Sequence, residues 1–298
     1  MLGITLSHSH LAWLGIQPSF ALEQLSRRSL SYVRLGSYWS EIESRNAHYD
    51  YRALEEWLDV FERRQQNVVL TVGVKAPRWP EFYYPDFITH KDSSHPETQS
   101  KLLDFIRHTI THVRHYRCIS HWQVENEPLD PSGPTNEHIS SQLLEQEISL
   151  VRQLDPRPIL LTLWGNALRR RGFLPQASEL ADIVGIDLYY RQFAGSILGK
   201  HIYTGPENEA KLRQTLSQSS KPIWITELQA EPWEKNEASY LGNNPASISP
   251  ELLEQNLQRT KLLPVAEILL WGFEYWLYRS QQGDQRYLEL FDRYNHDD

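Results

Sequence analysis

Two acidic residues in this chain stand where apolar runs stop. Residues 119–124 read as a short buried strand, and Glu125, Asn126 and Glu127 fall where it runs out, just before Pro128. The arrangement recurs 100 residues further on, in Lys221-Pro-Ile-Trp-Ile-Thr-Glu-Leu, where the apolar run 223–226 stops at Glu227. A carboxyl at a strand end is common on solvated surfaces, but two in matching contexts suit paired chemistry. One carboxylic acid can protonate a departing oxygen while a second carboxylate attacks the carbon or activates water, which is what glycosidic bond cleavage needs. The two must differ in proton occupancy, and an ionised carboxylate favours the protonated form of its neighbour.

Positioning such a pair requires a repeating scaffold, and the chain alternates short apolar runs with amphipathic stretches throughout. Strands are expected at residues 3–6, 32–36, 67–72, 118–124, 159–163, 183–188, 223–226 and 267–271. Each run is short and most are rich in β-branched residues, as in Asn67-Val-Val-Leu-Thr-Val. Helices are expected at 18–25, 51–64, 97–116, 137–154, 207–217 and 250–263, with a less regular crossover at 169–180. Apolar residues at Leu54, Trp57, Leu58 and Phe61 bury one stripe of the second helix, and Leu103, Ile106, Ile110 and Val113 do so for the third. Eight strands with crossovers long enough to return a parallel neighbour predict an α/β protein, a single (β/α)8 TIM barrel over residues 1–298. An open doubly wound sheet is the alternative, and the lack of Gly-x-Gly-x-x-Gly after the first strand counts against it. The longer loops, 37–50, 75–96, 126–136, 189–206 and 229–249, all follow strands, on the face where barrels of this kind carry their sites.

The 298 residues suffice for one large core. Thirty basic against 38 acidic residues, a formal charge of −8 spread along the chain, argue against nucleic acid and anionic membranes as partners. No run is long and apolar enough to predict a membrane span. The single cysteine, Cys118, permits no intramolecular disulfide and no cysteine-based metal site. The N-terminal Met1-Leu-Gly-Ile-Thr-Leu reads as a strand and not as a signal peptide, so a cytoplasmic location is the expectation. Ten Trp and 15 Tyr exceed ordinary core needs, and many lie near predicted strand ends, where rings stack on ligands.

Asn126-Glu127-Pro128 after an apolar strand, with Trp224-Ile-Thr-Glu227 a hundred residues on, resembles clan A of the retaining glycoside hydrolases, the cellulase and β-mannanase superfamily. The resemblance covers the chain from the first strand to Tyr278. It implies that Glu127 is the general acid/base, Glu227 the nucleophile, and Asn126 a hydrogen-bond partner of the sugar 2-hydroxyl. Arg34, ending the second strand, resembles the arginine that supports the nucleophile. Tyr189 or Tyr190 resembles the tyrosine that donates to it, Tyr189 being preferred. Trp271 and Trp276 lie where the clan places a tryptophan beneath the sugar, one of them expected to be core. Lys75, Arg78 and Trp79 are expected along the cleft, although a rigid turn explains the neighbouring prolines equally well. The clan implies a β-linked carbohydrate substrate, net retention, and no metal or cofactor. No equivalent of the clan's Asn or His pattern is found in 71–75 or 162–166, so no single sugar is indicated.

Two readings from other classes compete. His8-Ser-His10 has the spacing of metal-dependent barrel hydrolases, but 161–164 and 186–190 contain no His and 267–276 no Asp to complete a ligand set. A non-catalytic carbohydrate-binding barrel would keep the aromatic residues without turnover, yet binding alone does not call for both carboxylates.

Overall fold

The structure is a computed structural model that describes residues 1–169, 172–197, 200–206 and 208–296. Its strands are β1 (Gly3–Thr5), β2 (Val33–Gly36), β3 (Val68–Val72), β4 (Ile119–Val124), β5 (Ile159–Trp164), β6 (Ile183–Leu188), β7 (Gln192–Ile197), β8 (Lys200–Thr204), β9 (Ile223–Gln229) and β10 (Glu267–Trp271). Its α-helices are α1 (His8–Trp13), α2 (Pro18–Ser26), α3 (Trp39–Ile42), α4 (Arg52–Arg63), α5 (Pro96–Val113), α6 (Ser141–Leu154), α7 (Phe173–Leu180), α8 (Glu209–Leu216), α9 (Glu237–Leu241), α10 (Pro250–Lys261), α11 (Phe273–Gln281) and α12 (Arg286–His296). All of the strands except β7 and β8 form a closed barrel in the order β1-β10-β9-β6-β5-β4-β3-β2, and the chain is a (β/α)8 barrel. No helix among the described residues is long and apolar enough to cross a membrane.

By its internal packing the chain divides into two compact units, Tyr32–Gly185 and the combination of Met1–Ser31 with Ile186–Asp298. In the first, β2 pairs with β3, β3 with β4 and β4 with β5, all parallel. Every residue of β3 is buried, as expected of a strand covered on both faces, which is why its sequence is a continuous apolar run and not an alternation. Helix α4 buries Leu54, Trp57, Leu58 and Phe61, and each buried side chain of this size contributes roughly 1.5–3 kcal/mol. Helix α5 is rotated slightly from the expected face: Leu102 and Phe105 are fully buried, whereas Leu103 is only half-buried. Helix α6 starts at Ser141, later than the expected Glu137, because Glu137 exchanges backbone hydrogen bonds with Ser132 and the Ile139 N–H donates to the Pro128 carbonyl. The Ser140 hydroxyl then caps the helix by accepting from the Leu143 N–H at 3.2 Å.

In the other unit, β1 pairs with β10 and β10 with β9, again parallel. The expected loop 189–206 holds an antiparallel hairpin, β7 and β8, that lies outside the barrel sheet. Its residues are mostly exposed, so no apolar run marked it. The expected helix start at Glu207 lies outside the described residues; α8 is capped by the Asn208 side chain, which accepts from the Lys211 N–H. Helices α1, α3, α9, α11 and α12 were also not expected.

Candidate active site

Strand β4 ends at Val124, and the chain leaves it through two residues in the left-handed region, Glu125 at φ 57° and Glu127 at φ 44°. Such a conformation costs a non-glycine residue of order 1–3 kcal/mol and persists only where the surroundings enforce it. Here the enforcement is visible. The Glu125 carboxylate accepts the N–H groups of Val74 and Lys75, and the Asn126 N–H donates back to the Lys75 carbonyl at 2.6 Å. Gly73, at φ 127°, makes room, since a Cβ there would stand 2.2 Å from the Glu125 carboxyl carbon. The Glu127 N–H donates to Thr162 Oγ1 at 2.7 Å, and its carbonyl accepts from Lys75 Nζ at 2.7 Å.

Lys75 does not line a cleft as expected. It is fully buried, and its ammonium also donates to the Asp130 carbonyl at 2.8 Å, which ties down both ends of the Glu127–Asp130 turn. Arg34, likewise fully buried, donates through Nε to Gln123 Oε1 at 2.6 Å and through its terminal nitrogen to Asn126 Oδ1. With Oδ1 accepting from a guanidinium, and also facing Gln123 Nε2 at 3.3 Å and Thr162 Oγ1 at 3.4 Å, the Asn126 amide has its NH2 turned the other way. Trp79 is 70% exposed in the loop after β3. Arg78 beside it is nearly buried and holds φ 90°.

Glu127 and Asn126 thus share a compact unit with Arg34, Gln123, Thr162, Lys75 and Trp79. Behind them lies a feature the sequence did not suggest, a pair of fully buried carboxyls from Glu125 and Glu147 of α6. Burial pushes Glu125 up to about 7, against the opposing pull of the Val74 and Lys75 N–H groups. Burial, and then the neighbouring Glu125, pushes Glu147 well above the usual carboxylate range.

In the other unit, β9 runs on to Gln229, so Glu227 lies within the strand and not beyond its end. The pairing with β10 slips at this point: Ile268 faces Ile225 but Leu270 faces Leu228, so β9 carries an extra residue around Glu227. A bulge of this kind re-aims a side chain. Glu227 is 3% exposed, and its Oε2 accepts the hydroxyl of Tyr189, just beyond β6. Tyr190 is turned elsewhere, with its hydroxyl 3.3 Å from Thr260 Oγ1 and Arg259 stacked 4.2 Å from its ring. Trp233, which sequence reasoning passed over, meets the edge of Tyr189 at 4.9 Å and is 42% exposed.

Trp271 ends β10, and its indole N–H donates to Glu231 Oε1 at 2.9 Å. Glu231 Oε2 in turn accepts from the Tyr240 hydroxyl at 3.1 Å. Trp276 corrects the expectation of a ring under a ligand. It is fully buried on α11, its N–H donating to the Ala230 carbonyl at 2.7 Å and its ring against Phe273 and Phe291, so no face is open to a sugar. His10 meets the Tyr240 hydroxyl through Nε2 at 3.1 Å and stacks on Trp13 at 5.1 Å. Among the described residues, neither His8 nor His10 belongs to a group of three or more metal-ligand side chains, which removes the donor set that the metal-dependent reading requires.

No protein-family model matches the sequence, and no curated protein matches it. Solved structures do match. The chain superposes on native xylanase 10B from Thermotoga maritima with a TM-score of 0.62 at 16% identity, over 91% of this chain and 82% of that one. An exo-β-1,4-mannosidase from Opitutaceae bacterium strain TAV5 gives a TM-score of 0.64 at 14% identity, over 97% of this chain but only 60% of the other. The GH1 β-glucosidase from Exiguobacterium antarcticum B7 gives 0.52 at 11% identity, over 89% and 86%. Identities this low bear on the fold alone, and the chain has the barrel fold of the clan A glycoside hydrolases.

Proposed function

We propose that the protein is a retaining glycosidase for β-linked sugars, with Glu227 as nucleophile and Glu127 as general acid/base, acting as one catalytic barrel over residues 1–298. The observation that carries this reading is the environment of Glu227: a buried carboxylate at a strand bulge, its plane fixed by the Tyr189 hydroxyl. A nucleophile needs that fixity, because attack on an anomeric carbon succeeds only from a narrow range of positions.

In the first step a Glu227 oxygen bonds to the anomeric carbon as the bond to the leaving oxygen breaks, and the Glu127 carboxylic acid gives that oxygen its proton. Water then attacks the same carbon, the Glu127 carboxylate takes a proton from it, and Glu227 departs as carboxylate. Two inversions retain the β configuration, and the reading requires carboxyls about 5–5.5 Å apart. Asn126, its Oδ1 held by Arg34, donates its NH2 to the sugar 2-hydroxyl, a contact that strengthens as positive charge develops on the ring. In this reading Arg34 also supports Glu227, Trp271 lies beneath the sugar, and Trp79 stacks on a more distant unit. Neither step calls for a cofactor.

Because the similar structures are a xylanase, a mannosidase and a β-glucosidase, the sugar is best found with a panel of aryl β-glycosides and β-linked polysaccharides. The expected result is hydrolysis of at least one member, with the β-anomer released first by NMR. Activity should vanish in Glu227→Gln and fall about 10²–10⁴-fold in Glu127→Gln on substrates with poor leaving groups. Inversion at the anomeric carbon, or unchanged turnover in Glu227→Gln, would refute the assignment.

A further inference from the structure

We propose that His90, His95 and Glu97 form a binding site for a divalent cation, zinc(II) being the ion they suit best. The three lie where the loop after β3 enters α5, and one ligand atom from each lies within 4.8 Å of the others. Two imidazoles and one carboxylate are a zinc donor set, with bonds of about 2.0–2.2 Å that place tetrahedral donors about 3.4 Å apart. A change of rotamer at His90 and Glu97, both of them exposed, closes the difference.

The backbone that carries these side chains is fixed by bonds that use none of the three. The His90 carbonyl accepts from the Asp92 N–H at 2.8 Å and from the Thr98 hydroxyl. The Asp92 carbonyl accepts from the His95 N–H at 3.1 Å, and Gln99 Nε2 reaches the Ser93 carbonyl at 2.9 Å. Ser93 is held in turn through its N–H by Glu137 at 2.7 Å. The loop is therefore set in place before any ion arrives.

His95 occupies the N-cap position of α5, but its side chain makes no capping bond. Its Nδ1 is sealed from solvent and has no hydrogen-bond partner among the described residues. The two imidazoles stack at 3.8 Å with their planes 21° apart, so they lie side by side, and binding one ion turns the His90 ring out of the stack.

The Asp92 carboxylate, between His90 and His95 in the sequence, accepts the Ser94 N–H at 2.8 Å. Of the lysines nearby, Lys101 is engaged by Asn46 Oδ1 at 3.0 Å and Lys91 by Asp86 at 2.9 Å. His90, Glu97 and Lys101 line a surface cavity of about 310 Å³, which offers entry and room for a water as fourth ligand. A bound ion would pin the long loop carrying Trp79 to the first turn of α5.

The test needs no substrate, so it stands or falls separately from the glycosidase reading. Chelator-treated full-length protein is titrated with zinc chloride by calorimetry and equilibrium dialysis, and the thermal midpoint is recorded with and without zinc. The expected result is one zinc per chain, an upward shift of the midpoint, and the visible absorption of tetrahedral cobalt(II) on cobalt substitution. His90→Ala, His95→Ala and Glu97→Gln should each weaken binding about tenfold or more, whereas Glu227→Gln should bind as the wild type does. Circular dichroism verifies that each variant folds. Failure to take up zinc, or uptake unchanged in the His90→Ala/His95→Ala double variant, would overturn the proposal.

Discussion

Tyr189 and Tyr190 are adjacent, chemically identical and both largely buried, yet only Tyr189 donates to Glu227. If Glu227 is the nucleophile, that hydrogen bond orients the carboxylate and disperses its charge. A hydrogen bond to a charged group has a net value of about 1.5–3 kcal/mol, so Tyr189→Phe should lower kcat roughly 10- to 100-fold with little change in thermal midpoint. Tyr190→Phe loses only a contact with Thr260 and should leave kcat within about twofold. Equal effects from the two variants would deny Tyr189 any special place. Residue types alone single out Glu127, Glu227 and Asn126 as candidates, because polar groups that interrupt apolar runs stand out. They were not enough to separate Trp271 from Trp276, since both indoles lie in one aromatic stretch and only packing shows that Trp276 belongs to the core.

At the scale of elements, the strands were legible because they are buried on both faces and so read as unbroken apolar runs, β3 being the clearest. What escaped notice depends on backbone geometry or on partners far along the chain. The hairpin β7–β8 buries too little to leave an apolar pattern. The bulge in β9 made the strand seem to stop at Thr226, because a carboxylate interrupted its apolar run. The left-handed turn at Glu125 and Glu127 has no signature in those residue types, and its supports, Gly73 and Lys75, lie some 50 residues earlier. Both supports can be tested. Gly73→Ala places a Cβ against the Glu125 carboxyl at a φ of 127°, and strain plus overpacking should cost about 3 kcal/mol or more, read from denaturant unfolding. Lys75→Met keeps most of the volume but strips the Glu127 and Asp130 carbonyls of their shared donor. It should lower kcat more than it raises KM, because the displaced group is the proposed acid and not a substrate contact. An unchanged kcat in Lys75→Met would show that the turn holds its shape without the ammonium.

For the whole molecule, the dependence of stability on pH joins groups that never meet in the mechanism. Glu125 is raised from 4.5 to about 7 by burial, so the folded state holds a proton that the unfolded chain releases; its contribution is complete below pH 4.5 and is lost as pH rises towards 7. Glu147, raised well above the usual carboxylate range by burial and then by Glu125, adds a second loss of the same sign. His121 acts in the opposite sense. Burial lowers it from 6.5 to about 4, against a smaller upward pull from Asp182, so the unfolded chain binds the proton first and stability grows as pH rises from 4 to 6.5. Between about pH 4.5 and 6.5 the histidine offsets only one of the two carboxyls, and above that the carboxyl pair titrates unopposed. The chain, with a formal charge of −8 at pH 7, gains further self-repulsion over the same rise. The thermal midpoint of the wild type should therefore fall gently from about pH 4.5 to 6.5 and more steeply above that. Removing the histidine in His121→Asn should steepen the decline between pH 4.5 and 6.5, whereas Glu147→Gln should flatten the fall above pH 6.5. Scanning calorimetry across this range decides the matter: a wild-type midpoint that climbs steadily through pH 8, or a Glu147→Gln profile identical to that of the wild type, would mean that the buried carboxyls do not govern stability in the neutral range.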